Sequence, residues 1–436
     1  MFKIQYERWH LIPIVLLLFQ SLAFGRSLPW GLLPFELGRW AWLILTIVLF
    51  IWFSRFRQPL DGRTFESLLR RPFLVCWAGL NFVYVAFNYF KFHSFGYEIP
   101  YLLLIFLSVS LFLVNQSRPE LSLLINLTML LCSIIYYPLT AERSDMLPVI
   151  QKGLDNWAVG RSPYEGFVLN GLPNAMGYLP GILFLHLPAW MLGLDLRWNN
   201  FIYRAAWLGF LFYHTKKNNR RDLKAIFHYL ALSPYINFRH ELYFEGYILL
   251  MCLYFCFAQL RFLALPLMVF TRQWSWILSP FLFLSELKPL KPGKWFWKIL
   301  GYMGGTFLVC ALFVALLKPN TSLQFFLEKI FWFKRAYQAG GYGGDYGIGL
   351  SWIFYKFEMQ RFLPKAQMAL LITSFCYVFF KKEQGDIGIW ALMTYVVFVL
   401  LTGHFWLYFW NSVVVFGFLI QIYENPPSSQ KQLSTN

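Results

Sequence analysis

The run "LSLLINLTMLLCSIIYYPL" at 121–139 is followed at once by "TAERSD" at 140–145, and the junction of the two decides the reading of this chain. A helix needs roughly 20 apolar residues to cross a hydrocarbon core of about 30 Å, so the first stretch reads as a membrane span. The second reads as the start of a polar loop at its end. Similar apolar runs recur, among them "HLIPIVLLLFQSLAF" (10–24), "RWAWLILTIVLFIWF" (39–53) and "YLLLIFLSVSLFLV" (101–114). Several are short and call for interfacial Trp and Tyr anchors. The 436 residues are 58% hydrophobic and 21% aromatic with only 14% charged, a composition far from that of a soluble domain. Hydropathy therefore predicts an all-α, polytopic transmembrane protein of about 11 to 14 spans, with 1–436 as a single multi-spanning domain carrying extracytoplasmic loop helices.

The formal charge of +17 would suggest nucleic acid in a soluble protein. Here the basic residues gather between apolar runs, as the positive-inside rule expects, and face membrane lipids, so nucleic acid is excluded as a partner. Cys76, Cys132, Cys252, Cys256, Cys310 and Cys376 all lie in apolar stretches and read as small hydrophobes. The "CLYFC" spacing has no His or Cys pair near it, so no metal ligand set is expected. Lys3 and Arg8 before the first apolar run read as an uncleaved anchor.

Charge also sets direction. The loop "SRFRQPLDGRTFESLLRR" (54–71) belongs on the cytoplasmic side, and counting spans from it brings 140–177 out on the opposite face. "KKEQGD" (381–386) and the polar tail 423–436 are cytoplasmic by the same rule, which puts a second loop region, 318–364, outside with the first. "KKNNRR" (216–221) and "KPLKPGKWFWK" (288–298) both demand the cytoplasm. To satisfy them, one apolar stretch among 178–213 and one among 262–287 must be re-entrant or interfacial. No internal repeat is visible, which weighs against many transporter architectures.

Chemistry on the outer face lacks nucleoside triphosphates, so an activated group must arrive on lipid. An Asp at a span end can take the proton of an acceptor hydroxyl while a lipid phosphate leaves, and the phosphate needs cations. "ERSD" (142–145) supplies Glu142, Arg143 and Asp145 at the membrane edge, and Lys152 and Arg161 follow. The elements Asp145, "VIQKGLDNWAVG", "GRSPY" (160–164) and "GYLPG" (177–181) together resemble the first outer loop of the glycosyltransferase-C superfamily, in its bacterial mannosyltransferase-like branch. "ELKPLKP" (286–292) is similar to a Lys-x-x-Pro stretch of that family. Here "MLPVI" with Pro148 stands where the family commonly has a Tyr, and several spans precede the loop.

The resemblance implies an inverting hexosyltransferase in a bacterial inner membrane, with an extracytoplasmic site. Its donor would be a polyprenyl-phosphate sugar, with mannose the first sugar to consider, and its acceptor a lipid-linked or cell-envelope glycan. No cofactor is implied. It makes Asp145 the catalytic base and Lys288 a residue near the lipid-phosphate path. Asp145 can equally be a helix N-cap, and Asp155, on the loop helix, is the second candidate base or a solvated residue. An unperturbed Asp, with a pKa near 3.9, needs a partly desolvated pocket to act as a base.

Pro163 and Tyr164 form a turn that ends the loop helix, Tyr164 being counted with the substrate-binding residues, and Pro180 suits a first helical turn. In "INFRHELYFEGY" (236–247), Arg239 and His240 are candidates for a lipid phosphate, and Glu241 and Glu245 for sugar hydroxyls, or the charges merely snorkel. "AGGYGGDYGIG" (339–349) lacks a P-loop ending and is no nucleotide site. A lipid-linked polysaccharide polymerase or ligase, and a lipid or solute transporter, are the competing functions. A transporter calls for ionisable residues in mid-span.

Overall fold

The computed structural model describes residues 118–136, 146–169, 172–174, 179–218, 221–232, 245–272, 275–290, 292–317, 357–380, 387–401 and 410–423, with residues 322, 324, 328 and 354. Their architecture is all-helical apart from one short ribbon. The helices are α1 (Pro119–Tyr136), α2 (Met146–Ala158), α3 (Pro180–Met191), α4 (Arg197–Asn218), α5 (Arg221–Leu232) and α6 (Glu245–Cys256). After them come α7 (Arg261–Thr271), α8 (Ser275–Leu287), α9 (Pro292–Leu317), α10 (Leu363–Phe380), α11 (Ile387–Leu400) and α12 (Trp410–Tyr423). The ribbon pairs β1 (Phe167–Leu169) antiparallel with β2 (Leu172–Asn174), Leu169 opposite Leu172. The intervening dipeptide in the sequence is Asn170-Gly171, the composition favoured for two-residue reversals.

The chain divides into two compact units, one of residues 1–129, 211–238 and 405–436, the other of 130–210 and 239–404. In the first unit α5 packs on α12, whose residues Val413 to Ile420 are buried throughout. Polar side chains fasten α1 to α5: Ser122 Oγ lies 2.6 Å from His228 Nδ1, and the Asn126 amide donates to the Ala231 carbonyl at 2.7 Å. Lys216, near the end of α4, pairs with Glu120, at the start of α1, at 2.7 Å. The ammonium beside it holds the Glu120 carboxyl below the usual carboxylate range.

The second unit is built around α7. It folds back on α6, packs along α9, and also touches α3 and α8. Between α6 and α7 the axis turns by 119°. No Gly or Pro marks that turn; Arg261 holds it, donating from Nε to the Tyr254 carbonyl at 2.9 Å and from Nη1 to Glu286 at 3.1 Å. A cation on the last carbonyls of a helix offsets the negative end of its dipole. Glu286 also pairs with Lys298. These contacts gather the start of α7, the end of α8 and the start of α9 at one end of the unit, and Lys288 adds the end of α10 by donating to the Val378 carbonyl at 2.8 Å. The basic passage 288–298 thus stands at the end of α10, directly after which "KKEQGD" follows in the sequence.

Close helix approach depends on missing side chains. A Cβ on Gly305 of α9 would sit 1.9 Å from the Phe262 carbonyl oxygen of α7, and one on Gly181 of α3 would sit 2.9 Å from that of Phe270. Gly301, one turn before Gly305, faces the Phe262 ring.

Among the described residues two helical stretches are long and apolar enough to cross a membrane, Gly293–Ala315 and Leu363–Phe380, or three if the bent pair α6–α7 counts as one span. Helices α3 and α8, of 12 and 13 residues, are apolar but reach only about 18–20 Å at 1.5 Å per residue. One short apolar helix therefore falls within each of the two stretches, 178–213 and 262–287, where the charge pattern demands an irregular crossing. Cys252 is buried as expected of a core hydrophobe, whereas Cys376 lies exposed on α10.

Candidate functional site

The polar loop is ordered by α2. Leu147, Ile150 and Leu154 recur at helical spacing and are buried, while Gln151 and Lys152 face outward. Gly160 ends the helix with φ +78°, a conformation open to glycine at little cost. Its N–H donates to the Trp157 carbonyl at 3.0 Å, and the Arg161 N–H reaches the Asn156 carbonyl at 2.9 Å, the paired bonds of a Schellman end. The expected turn follows: the Glu165 N–H donates to the Ser162 carbonyl at 3.0 Å, and the Tyr164 N–H donates to Ser162 Oγ at 3.2 Å. Tyr164 is wholly buried, and burial pushes its phenol well above its ordinary pKa. Pro180 opens α3 as expected.

Asp145, Glu142 and Arg143 lie outside the described residues, immediately before α2 in the chain; so do Arg239, His240 and Glu241. Lys152 and Arg161 are exposed on the loop. Asp155 is not the solvated group that a polar helix face suggests: its carboxylate accepts the Trp190 indole N–H at 3.0 Å. Trp157 meets Trp190 edge-on at 6.2 Å, so Asp155 and Trp157 dock α2 on α3. Lys288 directly follows α8, its ammonium donating to the Val378 carbonyl. Glu245, read from sequence as a sugar ligand, is buried with both oxygens engaged. Arg204 Nη2 donates to one at 2.7 Å and the Trp207 indole to the other.

The second unit also buries other polar groups that sequence reasoning passed over. His186 on α3 donates from Nδ1 to the Ile182 carbonyl at 2.9 Å, which fixes its tautomer and leaves Nε2 as an acceptor in the neutral ring. The Asn200 amide on α4 neighbours that ring, and Arg272, just past α7, lies within electrostatic reach of it. Arg272 also influences Tyr247 on α6, which in turn neighbours Ser275 at the start of α8 and Tyr395 on α11. All six are 6% exposed or less. The signal in the sequence was Arg197, Asn200 and Arg204 at i, i+3 and i+7 in an aromatic helix, and a lone His in the apolar run "GILFLHLPAWM". Such residues are costly to bury, and they persist where they pair or bind.

No protein-family model, curated protein or solved structure matches this chain.

Proposed function

We propose that this chain is an inverting membrane glycosyltransferase that moves a sugar, with mannose the first to test, from a polyprenyl phosphate to a lipid-linked or cell-envelope acceptor at the extracytoplasmic face. The loop is the observation that carries this reading. An amphipathic helix begins one residue after Asp145, a left-handed glycine and a Ser-Pro-Tyr turn close it, and a proline-initiated helix receives it. That is the order of elements the resemblance calls for. Asp145 is the base; Asp155, engaged by Trp190, serves docking instead. Lys152 and Arg161, exposed on the same loop, and Arg143 and Arg239 in sequence are the candidates for the departing phosphate.

Placement in a bilayer rests on exposed apolar surface. On α9, Phe296, Leu300, Met303 and Phe307 form a stripe at i, i+4, i+7 and i+11, exposed at 62%, 47%, 63% and 76%. A contiguous patch of this kind suits lipid and not water. Lys216 paired with Glu120 puts the end of α4 on the side where α1 begins, in keeping with a cytoplasmic position for both.

A lipid or solute transporter is the second reading, favoured by one observation: Arg204, Glu245, His186 and Arg272 are ionisable and buried among apolar helices. Transfer of radiolabelled sugar from synthetic polyprenyl-phosphate donors separates the two, in membranes carrying wild type, Asp145→Asn or Asp155→Asn at matched abundance. We expect Asp145→Asn to abolish transfer and Asp155→Asn to reduce it only as far as it loosens the α2–α3 contact. Full transfer by Asp145→Asn refutes the assigned base. If wild type transfers from no donor and moves labelled lipid instead, the transporter reading replaces this one.

A further inference from the structure

We propose that the basic, aromatic surface at the α8–α9 corner, carried by Lys294, Trp297 and Lys298, docks on anionic phospholipid headgroups and fixes the start of α9 at the membrane surface. Such docking goes beyond the transfer reaction and does not depend on it. Arg261 and Lys298 share one carboxylate, that of Glu286, each on its own oxygen. Lys288 lies at the same corner against the end of α10, and Lys294 is exposed one helical turn before Lys298. Among the described residues the corner thus holds four cations, Arg261, Lys288, Lys294 and Lys298, against the one acid Glu286, a net charge of +3. No acidic residue stands in the first turn of α9 to offset it, so the helix dipole adds to the positive field. The complement of such a surface is an anion.

The aromatic residues decide which anion that is. Trp297, 70% exposed, neighbours Lys294 across one turn of α9, and Phe296 and Leu300 are exposed as well. They open the apolar stripe that Met303 and Phe307 continue. A soluble phosphate engages the cations alone, whereas a lipid gives its headgroup to them and its chains to the stripe. The apolar stretch Gly293–Ala315 has 23 residues, about 34 Å at 1.5 Å per residue against a hydrocarbon core of about 30 Å. Its first turn therefore reaches the headgroup layer, where Trp rings and long lysine stems settle. The surface is open there: a Cβ on Gly293 would meet nothing within 4 Å. The Trp295 indole N–H donates back to the Leu290 carbonyl at 3.0 Å and ties the preceding turn to the helix start.

The test uses the purified full-length protein in non-ionic detergent, titrated with short-chain phosphatidylglycerol, phosphatidylcholine of the same chains, or glycerol phosphate. Melting midpoints are followed against concentration for wild type, Lys294→Gln, Lys294→Glu and Lys365→Gln. Lys365 is an exposed lysine at the start of α10, whereas the corner meets the end of that helix. We expect phosphatidylglycerol alone to stabilise wild type, with half-saturation raised about fivefold in Lys294→Gln and further in Lys294→Glu. Lys365→Gln should stay within about twofold of wild type. Without lipid, both variants at 294 should melt with wild type, because the side chain is exposed. Failure of phosphatidylglycerol to stabilise wild type, or equal stabilisation by phosphatidylcholine, overturns the proposal. So does equal stabilisation by glycerol phosphate, which marks a site for a soluble anion. Half-saturation in Lys294→Gln within about twofold of wild type places the anionic lipid elsewhere. A shift in Lys365→Gln as large as that in Lys294→Gln reduces the effect to net charge, and either of these results also refutes the site.

Discussion

Gly304 and Gly305 are neighbours on α9, and replacing each with alanine should have opposite effects. A Cβ at 305 would lie 1.9 Å from the Phe262 carbonyl oxygen and 2.8 Å from its carbon, both backbone atoms that cannot rotate away. Ordinary contact begins at about 3.4 Å, so α7 and α9 must part by about 1.5 Å. That separation loosens the Phe262–Tyr302 and Phe270–Phe313 ring contacts, now at 5.4 and 5.3 Å. Overpacking typically costs 1–3 kcal/mol, and a clash with fixed backbone belongs at the upper end, about 3 kcal/mol. At 304 a Cβ meets nothing within 4 Å. Alanine there gains helix propensity of up to about 1 kcal/mol. The two variants should therefore differ by about 4 kcal/mol, on the order of 5 °C or more in melting midpoint. Thermal unfolding in detergent, read by the reactivity of the buried Cys252 thiol, measures this directly. Equal midpoints for Gly304→Ala and Gly305→Ala would show that α7 and α9 do not meet at Phe262, and the packing described for the second unit would be wrong.

The Arg204–Glu245 pair is buried on both sides, so Arg204→Met or Glu245→Gln alone should each destabilise by about 3–5 kcal/mol. The double variant should lose less than the sum; additive losses in a double-mutant cycle would deny the contact. Tyr164 is neutral in its buried site and ionises more readily in the unfolded chain, because its folded pKa is raised. The stability it contributes is complete below about pH 10 and is lost as pH rises from there toward the folded value. Tyr164→Phe should accordingly flatten the alkaline loss of stability relative to wild type, and identical slopes above pH 10 would contradict its burial. Gly160→Ala forces a Cβ into a left-handed conformation and should cost about 1 kcal/mol, read as a lowered midpoint; no change would mean the loop helix does not end there.

Local chemistry made the loop legible. The turn through Pro163 and Tyr164 and the start at Pro180 follow from residues that fix φ, whereas the helix stops earlier than that turn, at Gly160, which the structure shows at positive φ. Each of those signals acts over a few residues, and no partner elsewhere is needed to read it. The apolar runs were equally plain, but their lengths were not. The break at 257–260 carries no turn residue; Arg261 and Glu286, 25 positions apart, hold it.

What the sequence determined by itself was the helical class, the oily composition and the turn residues of the polar loop. Tertiary structure alone decided which polar groups are buried together. Asp155 looked solvated until Trp190, 35 residues on, was placed against it. Lys288 found Val378 across 90 residues, and Ser122 found His228 across 106. The His186–Asn200–Arg272 cluster likewise draws on helices scattered through the second unit. The reason is physical: helix periodicity is set by neighbours three and four residues away, whereas the cost of burying a charge depends on what the fold brings within 3 Å of it.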